Sequence, residues 1–410
     1  MNNNKRLLTE HCYECGNCAQ KCPVNAVRLE RVREEKCLPV IDTEKCINCG
    51  LCSKVCQSCE PVEKRMPAYV YAAVSKSQQS IYSTSGGIFY ELAALIIRNG
   101  GCVIGAGYAE NWTVKQMVVS DIQNIQKLQG SKYVKSSASN SYRITYNILK
   151  ENKWVLYSGT PCQIAGLKKY LENSDLKNID KLLLVDIICH GTPPVSIFQD
   201  YANYLSEKKG GQLIKFSFRN KKYGHKLIGD YEIKRNNSIK KYRLYSSESS
   251  YFSLFLKGFI YNTVCYSCPY ACNERNSDIT LGDFWGIKEE MPEFFVENSL
   301  PEETSVSLVM INTDKGERFF RDISCHVISK SVDYEKVVKH NPQLSQPSFC
   351  DPKMHRDVFD NYKENGYEYL ESVYKKYSDY RKYSLRISCY IPVKVKQGIK
   401  RLLSYTSGRN

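Results

Sequence analysis

The feature that most limits how this chain can fold is a pair of closely spaced four-cysteine runs near its N-terminus. Bacterial ferredoxins use such runs to bind two 4Fe-4S clusters, and the fourth cysteine of each run binds the cluster of the other run. The sequence therefore predicts two cubes, each bound by three cysteines of one run and the last cysteine of the other. The two runs have the spacing C-x2-C-x2-C-x3-C and consist of Cys12, Cys15, Cys18 and Cys22, and of Cys46, Cys49, Cys52 and Cys56.

A zinc site is the alternative explanation for clustered cysteines. Structural zinc sites prefer two well-separated pairs of ligands, so two consecutive four-cysteine runs argue against it. The second run departs from the ferredoxin pattern in one respect, because Gln57 follows Cys56 where Pro23 follows Cys22 in the first run. Cys59, three residues on, is an alternative ligand to Cys56, although an unbound thiol is the favoured interpretation.

The cysteine content also indicates the compartment. Nineteen cysteines are many for a chain whose N-terminus lacks the apolar segment of a secretory signal. No run of residues reaches the about 18 apolar positions that a transmembrane helix needs. We therefore expect a cytoplasmic protein, in which clustered cysteines bind metal rather than form disulfides.

The formal charge of +15 raises the question of a nucleic-acid partner. No nucleic-acid-binding motif accompanies this charge, so we expect a solvated basic surface and no nucleic acid. Part of the excess lies near the C-terminus, where basic and apolar residues alternate. Such an end also suits peripheral contact with an anionic membrane surface, and an acidic cofactor or partner is a third explanation. The basic residues there are Arg381, Lys382, Arg386, Lys394, Lys396, Lys400 and Arg401.

Cysteine density and apolar patterning divide the chain into four parts. Residues 1–62 are predicted to form the two-cluster ferredoxin domain, residues 63–80 a linker, residues 81–345 a large domain, and residues 346–410 a basic C-terminal tail. In the large domain, apolar runs alternate with segments of helical periodicity, which is typical of mixed α/β folds. The expected fold class is thus a small bacterial-type two-cluster ferredoxin domain followed by a mixed α/β domain.

Two predicted strands of the large domain run directly into loops that carry polar residues. Residues 154–157 and 181–188 are apolar runs of strand length, and they are followed by Ser158-Gly-Thr-Pro-Cys162 and Cys189-His-Gly191. A strand, a tight turn and a helix place functional groups at the carboxyl end of the strand. We therefore expect a site at this edge of a sheet.

Several short blocks between about residues 80 and 345 carry a resemblance to a known family. They are Ser83-Thr-Ser-Gly-Gly87, Gly130-Ser-Lys-Tyr133, Gly159-Thr-Pro-Cys-Gln163, Cys189-His-Gly-Thr192, Phe218-Arg219, Cys265-x2-Cys268 and Ser277-Asp-Ile-Thr-Leu-Gly-Asp-Phe-Trp-Gly286. In this order they resemble the family of coenzyme F-420 hydrogenase/dehydrogenase beta subunits. The ferredoxin domain in front resembles the form of that family found beside polysaccharide-synthesis genes.

The resemblance implies a third 4Fe-4S cluster in the large domain. Its candidate ligands are Cys162, Cys189, Cys265 and Cys268. Cys162 follows a predicted strand at the start of a helix, where the helix dipole stabilises a thiolate. Buried structural cysteines are the alternative, and Cys272 lies outside the family pattern.

The resemblance also implies FAD, so the mixed α/β domain is expected to be a flavin-binding domain. Ser85, Gly86 and Gly87 precede a predicted helix, so backbone N–H groups there can meet a pyrophosphate, although a glycine pair is more often only a turn. Gly159 and Thr160, at a predicted strand end, are further candidates. The family pattern adds Arg219 and Lys221, which completes the set of predicted cofactor-binding residues.

Two departures from the family pattern bear on the substrate. Asn220 stands where the family has an aspartate, and His225 stands where it has a tryptophan. Both positions are expected near the substrate, so the deazaflavin of the family is in doubt for this chain. Asp283 and Trp285 are expected to line the same cavity, although a structural aspartate is an equal alternative.

These features predict an iron–sulfur flavoprotein oxidoreductase. Clusters carry single electrons and organic hydride donors carry two, so a flavin between them converts one into the other. The expected partners are a ferredoxin or another redox protein and a small-molecule substrate, such as a deazaflavin or an intermediate of polysaccharide synthesis. The alternative is a non-enzymatic electron carrier or scaffold subunit of a larger redox complex. The sequence identifies no catalytic residue.

Overall fold

Strands and helices alternate along most of the chain in the computed structural model, which describes residues 11–34, 36–172, 174–378, 383 and 386–387. The strands are β1 (Val27–Arg33), β2 (Lys36–Ile41), β3 (Tyr69–Ser75), β4 (Cys102–Tyr108), β5 (Val114–Val119), β6 (Val155–Gly159), β7 (Leu182–Ile187), β8 (Gln212–Ser217), β9 (Ile228–Arg235), β10 (Ser238–Tyr245), β11 (Ile279–Asp283), β12 (Ser307–Ile311) and β13 (Val327–Ser331). The helices are α1 (Asn17–Lys21), α2 (Leu51–Lys54), α3 (Ile88–Arg98), α4 (Ser141–Lys150), α5 (Pro161–Glu172), α6 (Val195–Lys209), α7 (Ser250–Leu256), α8 (Ile287–Glu290), α9 (Glu293–Glu297), α10 (Asp314–Asp322), α11 (Tyr334–Val338) and α12 (Pro352–Tyr377).

The N-terminal region repeats one small unit, a cysteine loop that ends in a short helix. Gly16 and Gly50 directly precede α1 and α2, and each has a φ of 72°. This left-handed conformation suits glycine, since a side chain there would be strained. Strands β1 and β2 pair antiparallel between the two units. The region is ferredoxin-like, as the spacing of the cysteines predicts.

The large domain is built around a mixed sheet, which has eight strands among the described residues in the order β13-β3-β12-β11-β7-β6-β4-β5. Strands β4, β6, β7 and β11 run parallel, so their carboxyl ends share one edge. Helices α3 and α10 pack on one face, and α4 and α5 pack on the other. Because both faces are covered, β7 is apolar and buried along nearly its whole length. This arrangement confirms the mixed α/β architecture.

Residues 63–80, predicted as a linker, contain part of the central sheet. Strand β3 lies there and pairs antiparallel with both β12 and β13. Its apolar residues Val70, Ala72 and Val74 are buried on one face. The prediction missed this strand because it assigned the stretch by its position after the last cysteine rather than by its apolar alternation.

The predicted tail, residues 346–410, also contains an ordered element. Helix α12 packs Val358, Tyr362 and Leu370 into a core that includes α6 and α7, so these residues are not part of a solvated tail. The alternating basic and apolar residues beyond Tyr377 lie, apart from Arg386 and Ile387, outside the described residues.

A smaller antiparallel sheet of β8, β9 and β10 continues the large domain. Its core is aromatic, with Phe198 of α6, Phe218 after β8 and Tyr251 of α7 in mutual ring contact. The hydrophobic area of these rings holds the sheet against α6, α7 and α12. The segment between β8 and β9, residues 218–227, is thereby fixed beside the larger sheet.

The ferredoxin region packs directly on α5 of the large domain. The side-chain amide of Asn17 is buried and donates hydrogen bonds to the carbonyl oxygens of Val55 (2.7 Å) and Gly166 (2.9 Å). A Cβ atom at Gly166 would lie 2.7 Å from the Tyr142 hydroxyl and 3.1 Å from Cβ of Cys15. Only glycine allows this close approach. Among the described residues, we find no helix with the length and apolar character needed to cross a bilayer.

Candidate functional site

The structure brings together the cysteines predicted to bind the first cube. Burial, and then the charges of Cys15, Cys12 and Cys56, raise the pKa of Cys18. These three thiols are therefore close enough to act on Cys18, and one of them, Cys56, is the last cysteine of the second run. Their assignment as ligands of one cube remains a prediction.

The cysteines predicted to bind the second cube lie nearer the surface. Burial raises the pKa of Cys52, and the charge of Cys46 adds to this effect. Cys49 is exposed, and the neighbouring Ile47 is 61% exposed. The thiol of Cys22 accepts a hydrogen bond from the backbone N–H of Ala26 (3.1 Å). This end of the ferredoxin region is therefore open to solvent.

The described cysteines are all free thiols, and no disulfide forms among them. Within the described ranges there is also no group of three or more His, Cys, Asp and Glu side chains compact enough for a single metal ion. A 4Fe-4S cube attaches its four thiolates to four separate irons, so its ligands stand farther apart than those of one ion.

The four cysteines proposed for a third cluster line one small cavity of about 30 Å³. Cys162 lies in the first turn of α5, Cys189 follows β7, and Cys265 and Cys268 lie on the loop after α7. Burial, followed by the charges of Cys265 and Cys162, raises the pKa of Cys189. Three separate segments of the sequence thus converge on this cavity.

Cys272, which lies outside the family pattern, does not line this cavity. Its thiol donates hydrogen bonds to the carbonyl oxygens of Pro269 (3.3 Å) and Glu274 (3.2 Å). The Lys64 ammonium group lies 3.3 Å from the same sulfur. These contacts give Cys272 a local structural role.

The small cavity lies between the ferredoxin region and the large domain. Tyr13 and Lys135 also line it, and Lys135 donates a hydrogen bond to the carbonyl oxygen of Tyr13 (2.6 Å). Burial alone would lower the pKa of Lys135, but the charges of Cys162, Glu14 and Cys265 raise it above its usual value. A buried cation therefore stands beside the cysteines.

A second and much larger cavity, of about 550 Å³, opens at the carboxyl edge of the parallel strands. The end of β6 contributes Gly159, which Thr160 follows, and the loop after β7 contributes Cys189 to Thr192. Thr160, Cys189 and His190 line both this cavity and the small cysteine-lined one. The cavity at the strand ends is thus adjacent to the cysteine-lined one, and the two are separated only by shared wall residues.

The predicted cofactor-binding residues fall into two groups. Ser85, Gly87, Gly159 and Thr160 line the large cavity. Gly86 does not: its N–H donates a hydrogen bond to the Ser307 hydroxyl (2.9 Å), and a Cβ atom there would lie 2.2 Å from the carbonyl oxygen of Ala73. Its N–H is therefore already bonded, and its glycine is required by the close packing of β3 and β12.

Arg219 and Lys221 border the large cavity without lining it. The Arg219 guanidinium donates to both carboxylate oxygens of Asp283 and, at 3.3 Å, to the carbonyl oxygen of Thr84. Lys221 donates to the Ser80 hydroxyl (3.2 Å), and burial lowers the pKa of Lys221 to about 8. Arg219 thus positions Asp283 at the cavity wall, whereas Lys221 is bonded to Ser80, which does not line the cavity.

Asp283 and Trp285 line the large cavity as expected. Burial alone would raise the pKa of Asp283. The Arg219 cation nevertheless holds this pKa well below its usual range, and His225 contributes further. The Arg219 guanidinium also lies 5.4 Å from the centroid of the Trp285 ring. This part of the cavity wall is a compact group of opposite charges and aromatic rings.

The two departures from the family pattern have different surroundings. His225 stacks on Trp285 at the cavity wall. Asn220 instead donates from its side-chain amide to the Asp230 carboxylate (2.7 Å), and its side-chain oxygen accepts from the N–H of Lys222 (3.1 Å). His225 thus contacts a residue that lines the large cavity, whereas Asn220 caps the turn at Lys221–Tyr223.

Sequence reasoning missed several polar residues of the cavity. Gln116 and Gln129 line it, and each has a buried side-chain oxygen without a hydrogen-bond partner among the described residues. Lys132 donates to the carbonyl oxygens of Leu128 (3.0 Å) and Gln129 (2.7 Å), and burial lowers its pKa to about 7. Lys132 lies in the quoted Gly130–Tyr133 block, whereas no local signal marks the glutamines.

Comparison with known proteins identifies both regions. Residues 11–58 match the family model of the 4Fe-4S dicluster domain. Residues 152–335 match that of the C terminus of the coenzyme F420 hydrogenase/dehydrogenase beta subunit. The second match contains all four cysteines of the small cavity, and it ends before α12.

Two individual proteins are similar to parts of the chain. The F subunit of the F(420)H(2) dehydrogenase of Methanosarcina mazei is 21% identical over 188 residues, which are 43% of this chain and 53% of that protein. The chain thus spans about half the length of this curated relative.

A chain of the F420-reducing [NiFe] hydrogenase complex from Methanosarcina barkeri, solved after xenon derivatization, superposes with a TM-score of 0.44 and 16% identity over 73% of this chain and 91% of that chain. This protein thus joins a region that matches the 4Fe-4S dicluster domain to a region that matches the C terminus of the coenzyme F420 hydrogenase/dehydrogenase beta subunit.

Proposed function

We propose that this chain is an iron–sulfur flavoprotein oxidoreductase that carries electrons between a ferredoxin-type partner and an organic substrate. The observation that carries the proposal is the position of the small cysteine-lined cavity. Tyr13 of the ferredoxin region forms part of its wall on one side, and it shares Thr160, Cys189 and His190 with the large cavity on the other. A cluster bound there would stand between the two N-terminal cubes and any ligand of the large cavity.

The residues of the small cavity fit a 4Fe-4S cluster. Cys162, Cys189, Cys265 and Cys268 supply four thiols from three segments, and each is a free thiol. Iron–sulfur cubes are bound by four cysteine thiolates. Cys15 is also close, since the Cβ position at Gly166 on α5 approaches it to 3.1 Å. The first and third clusters would therefore be neighbours across α5.

The large cavity fits a flavin, for which we propose FAD. Its volume lies within the about 300–1,000 Å³ of typical cofactor and ligand sites. The orphaned side-chain oxygens of Gln116 and Gln129 need hydrogen-bond donors, and a flavin ring offers N–H groups. Gly87 and Ile88, at the N-terminus of the 11-residue helix α3, line the cavity and suit a pyrophosphate. When bound, the flavin would convert single electrons into the paired electrons of organic substrates.

The protein residues would bind and enclose this cofactor. Lys132 places a cation beside the cavity, held by backbone carbonyl oxygens. The Arg219–Asp283 ion pair fixes the carboxylate at the wall, and the stacked rings of His225 and Trp285 cover one side. A wall of this kind excludes water, which protects reduced species from side reactions.

The exposed second cube is the proposed entry point for a redox partner. Cys49 and Ile47 are exposed there, so a partner protein can approach the cluster closely. The electrons would then pass through the first and third clusters to the large cavity, or in reverse, because cluster potentials span about 1 V. A deazaflavin and an intermediate of polysaccharide synthesis are the proposed substrate candidates.

The first test is to purify the protein anaerobically and to measure iron, sulfide and flavin per chain. About twelve irons and one FAD are expected, and the Cys162→Ala variant should lose about four of those irons. Cys272→Ala is the matched control and should keep them all. About eight irons without flavin would contradict the proposal and leave a two-cluster carrier or scaffold subunit.

A further inference from the structure

A third cavity, of about 710 Å³, lies on the small sheet. Helix α6, strands β9 and β10 and the turn at residues 221–223 form its walls, and none of the cysteines discussed above lines it. Its volume is in the range of sites for small molecules and cofactors. The basic side chains that line it are Lys208, Lys209, Lys222, Lys241, Arg243 and Arg386.

Two carboxylates line this cavity, Asp230 and Glu248, and both have cationic partners. The Glu248 carboxylate lies 3.8 Å from the Arg386 guanidinium. The Asp230 carboxylate is buried at its floor and lies 3.1 Å from the Lys222 ammonium and 3.6 Å from that of Lys241. The Tyr223 hydroxyl and the Asn220 amide also donate to Asp230, at 2.6 and 2.7 Å. Asp230 therefore holds two lysines in place, and its charge does not repel an incoming anion.

Two other cations of the cavity, Lys209 and Arg243, have tyrosine side chains as their partners. Lys209 lies 4.8 Å from the centroid of the Tyr242 ring. The Arg243 guanidinium lies 4.7 Å from the centroid of the Tyr223 ring and donates to the Tyr245 hydroxyl (3.2 Å). Within the described residues, neither cation has a carboxylate at ion-pair distance. A tyrosine ring compensates much less charge than a carboxylate does, so positive charge is left over.

We propose that this cavity is a second ligand site, which binds a nucleotide-like molecule with a pyrophosphate group and a flat ring. Arg and Lys are the side chains that proteins use for phosphate, and the planar guanidinium of Arg243 can donate to two phosphate oxygens at once. Tyr223 and Tyr245 offer rings that a base can contact, while the Tyr242 ring is already stacked on Tyr231. The concave shape favours a small molecule over an extended polyanion. The site is separate from the large cavity at the sheet edge.

The proposal is tested by titrating ADP and, separately, pyrophosphate into the full-length protein while calorimetry records the heat of binding. The protein is first loaded with one FAD per chain and free FAD is removed, so that the large cavity is filled while this cavity stays open to the probes. We expect saturable binding of one ADP per chain, and weaker binding of pyrophosphate because it lacks the ring. Binding should weaken at higher salt, since the contacts are ionic.

Two variants and a matched control identify the site. Arg243→Gln and Lys209→Gln should each weaken ADP binding about tenfold, since each removes one charge-assisted contact. Lys234→Gln removes the same charge from an exposed position on β9 outside the cavity, and it should bind ADP as the parent does. Far-ultraviolet circular dichroism and the melting temperature check the fold. If one of the two variants fails to fold, the other still tests whether ADP binds in this cavity.

Several outcomes would overturn the proposal. One is the absence of saturable ADP binding to the protein that carries FAD, and another is ADP binding only after FAD has been removed, which would place ADP in the large cavity. If Lys234→Gln weakens ADP binding as much as the other two variants do, the loss is caused by the change in overall charge and not by this cavity. If pyrophosphate binds as tightly as ADP, the ring contributes nothing to the affinity, and the proposed ligand with a flat ring is wrong. Each of these results leaves the iron and flavin content unaffected, so it is distinguishable from failure of the proposed redox function.

Discussion

The imidazole of His225 lies flat against the indole of Trp285, with ring centroids 4.4 Å apart and planes 14° from parallel. Nε2 of His225 is 3.6 Å from a carboxylate oxygen of Asp283, which also pairs with Arg219. The segment between β8 and β9 is thereby attached to the end of β11. Because Trp285 lines the large cavity, this stack forms one of its walls.

Removal of the indole should open the cavity. For Trp285→Ala we expect FAD to dissociate about tenfold faster, because the stack that shields it from water is lost. The recovery of flavin fluorescence after dilution measures this rate. Trp285→Phe keeps an aromatic wall and serves as the matched variant, so an equal effect in both would contradict a shielding role.

Binding of an anionic ligand in the large cavity should depend on pH through Lys132. Burial lowers its pKa to about 7, so the ammonium is charged below this pH and neutral above it. His190 also lines the cavity, but burial lowers its pKa below the usual value, although the charge of Asp283 opposes this shift. The affinity for FAD should therefore fall about fivefold between pH 6 and pH 8.

Equilibrium dialysis of FAD at the two pH values measures this effect. Lys132→Met should bind FAD with a nearly constant affinity over the same range. If the pH dependence persists in Lys132→Met, another group is responsible. The Lys221→Met variant is a suitable comparison, since Lys221 borders the cavity but is bonded to Ser80.

The buried ion pair at the cavity wall should matter for stability. Arg219→Leu leaves the Asp283 carboxylate buried without its partner, and we expect a loss of about 3–5 kcal/mol at neutral pH. Anaerobic thermal denaturation of the holoprotein reports it as a lower melting temperature. Adding Asp283→Asn removes the unpaired charge, so the double variant should recover much of the loss.

The same pair predicts how stability changes with acid. Arg219 keeps the pKa of Asp283 below its unfolded value, so the folded state binds fewer protons than the unfolded state near that value. Its stabilising contribution is present above the unfolded pKa of about 4 and disappears as the pH falls through the folded pKa. The melting temperature of the double variant should thus decline less in acid than that of the parent.

The contact between the ferredoxin region and α5 should not tolerate a side chain at position 166. In Gly166→Ala, the new Cβ would meet the Tyr142 hydroxyl at 2.7 Å and Cβ of Cys15 at 3.1 Å. We expect lower iron content, because Cys15 is displaced from its cube. Adding Tyr142→Phe removes the closer contact and should restore part of the iron. An unchanged iron content in Gly166→Ala would show that the interface adapts.

The sequence predicted best where chemistry requires a fixed local spacing. The ferredoxin cysteines follow such a spacing, and the glycines before α1 and α2 follow from the same repeated unit. The polar loops after β6 and β7 were also predictable, since apolar runs of strand length end immediately before them. In each case the information lies within about a dozen neighbouring residues.

The features that were missed depend on contacts between distant residues. Gln116 on β5 faces the cavity only because β5 pairs with β4 at the sheet edge. The N–H of Gly86 is bonded to Ser307, which is 221 positions away in the sequence. No local pattern contains such a partner. The sequence therefore assigned Gly86 to ligand binding, whereas the structure explains this glycine by close packing.

The two hydrogen bonds from the Asn17 amide join the inner faces of the ferredoxin region and α5 through a single side chain. A local loss of structure in one of the two is therefore expected to affect the other. Oxygen that destroys the first cube would loosen α1, and the same loosening would reach α5, whose first turn carries Cys162. We expect the N-terminal clusters and the third cluster to be lost together in air, so the ferredoxin region would be an integral part of the redox core and not a detachable accessory.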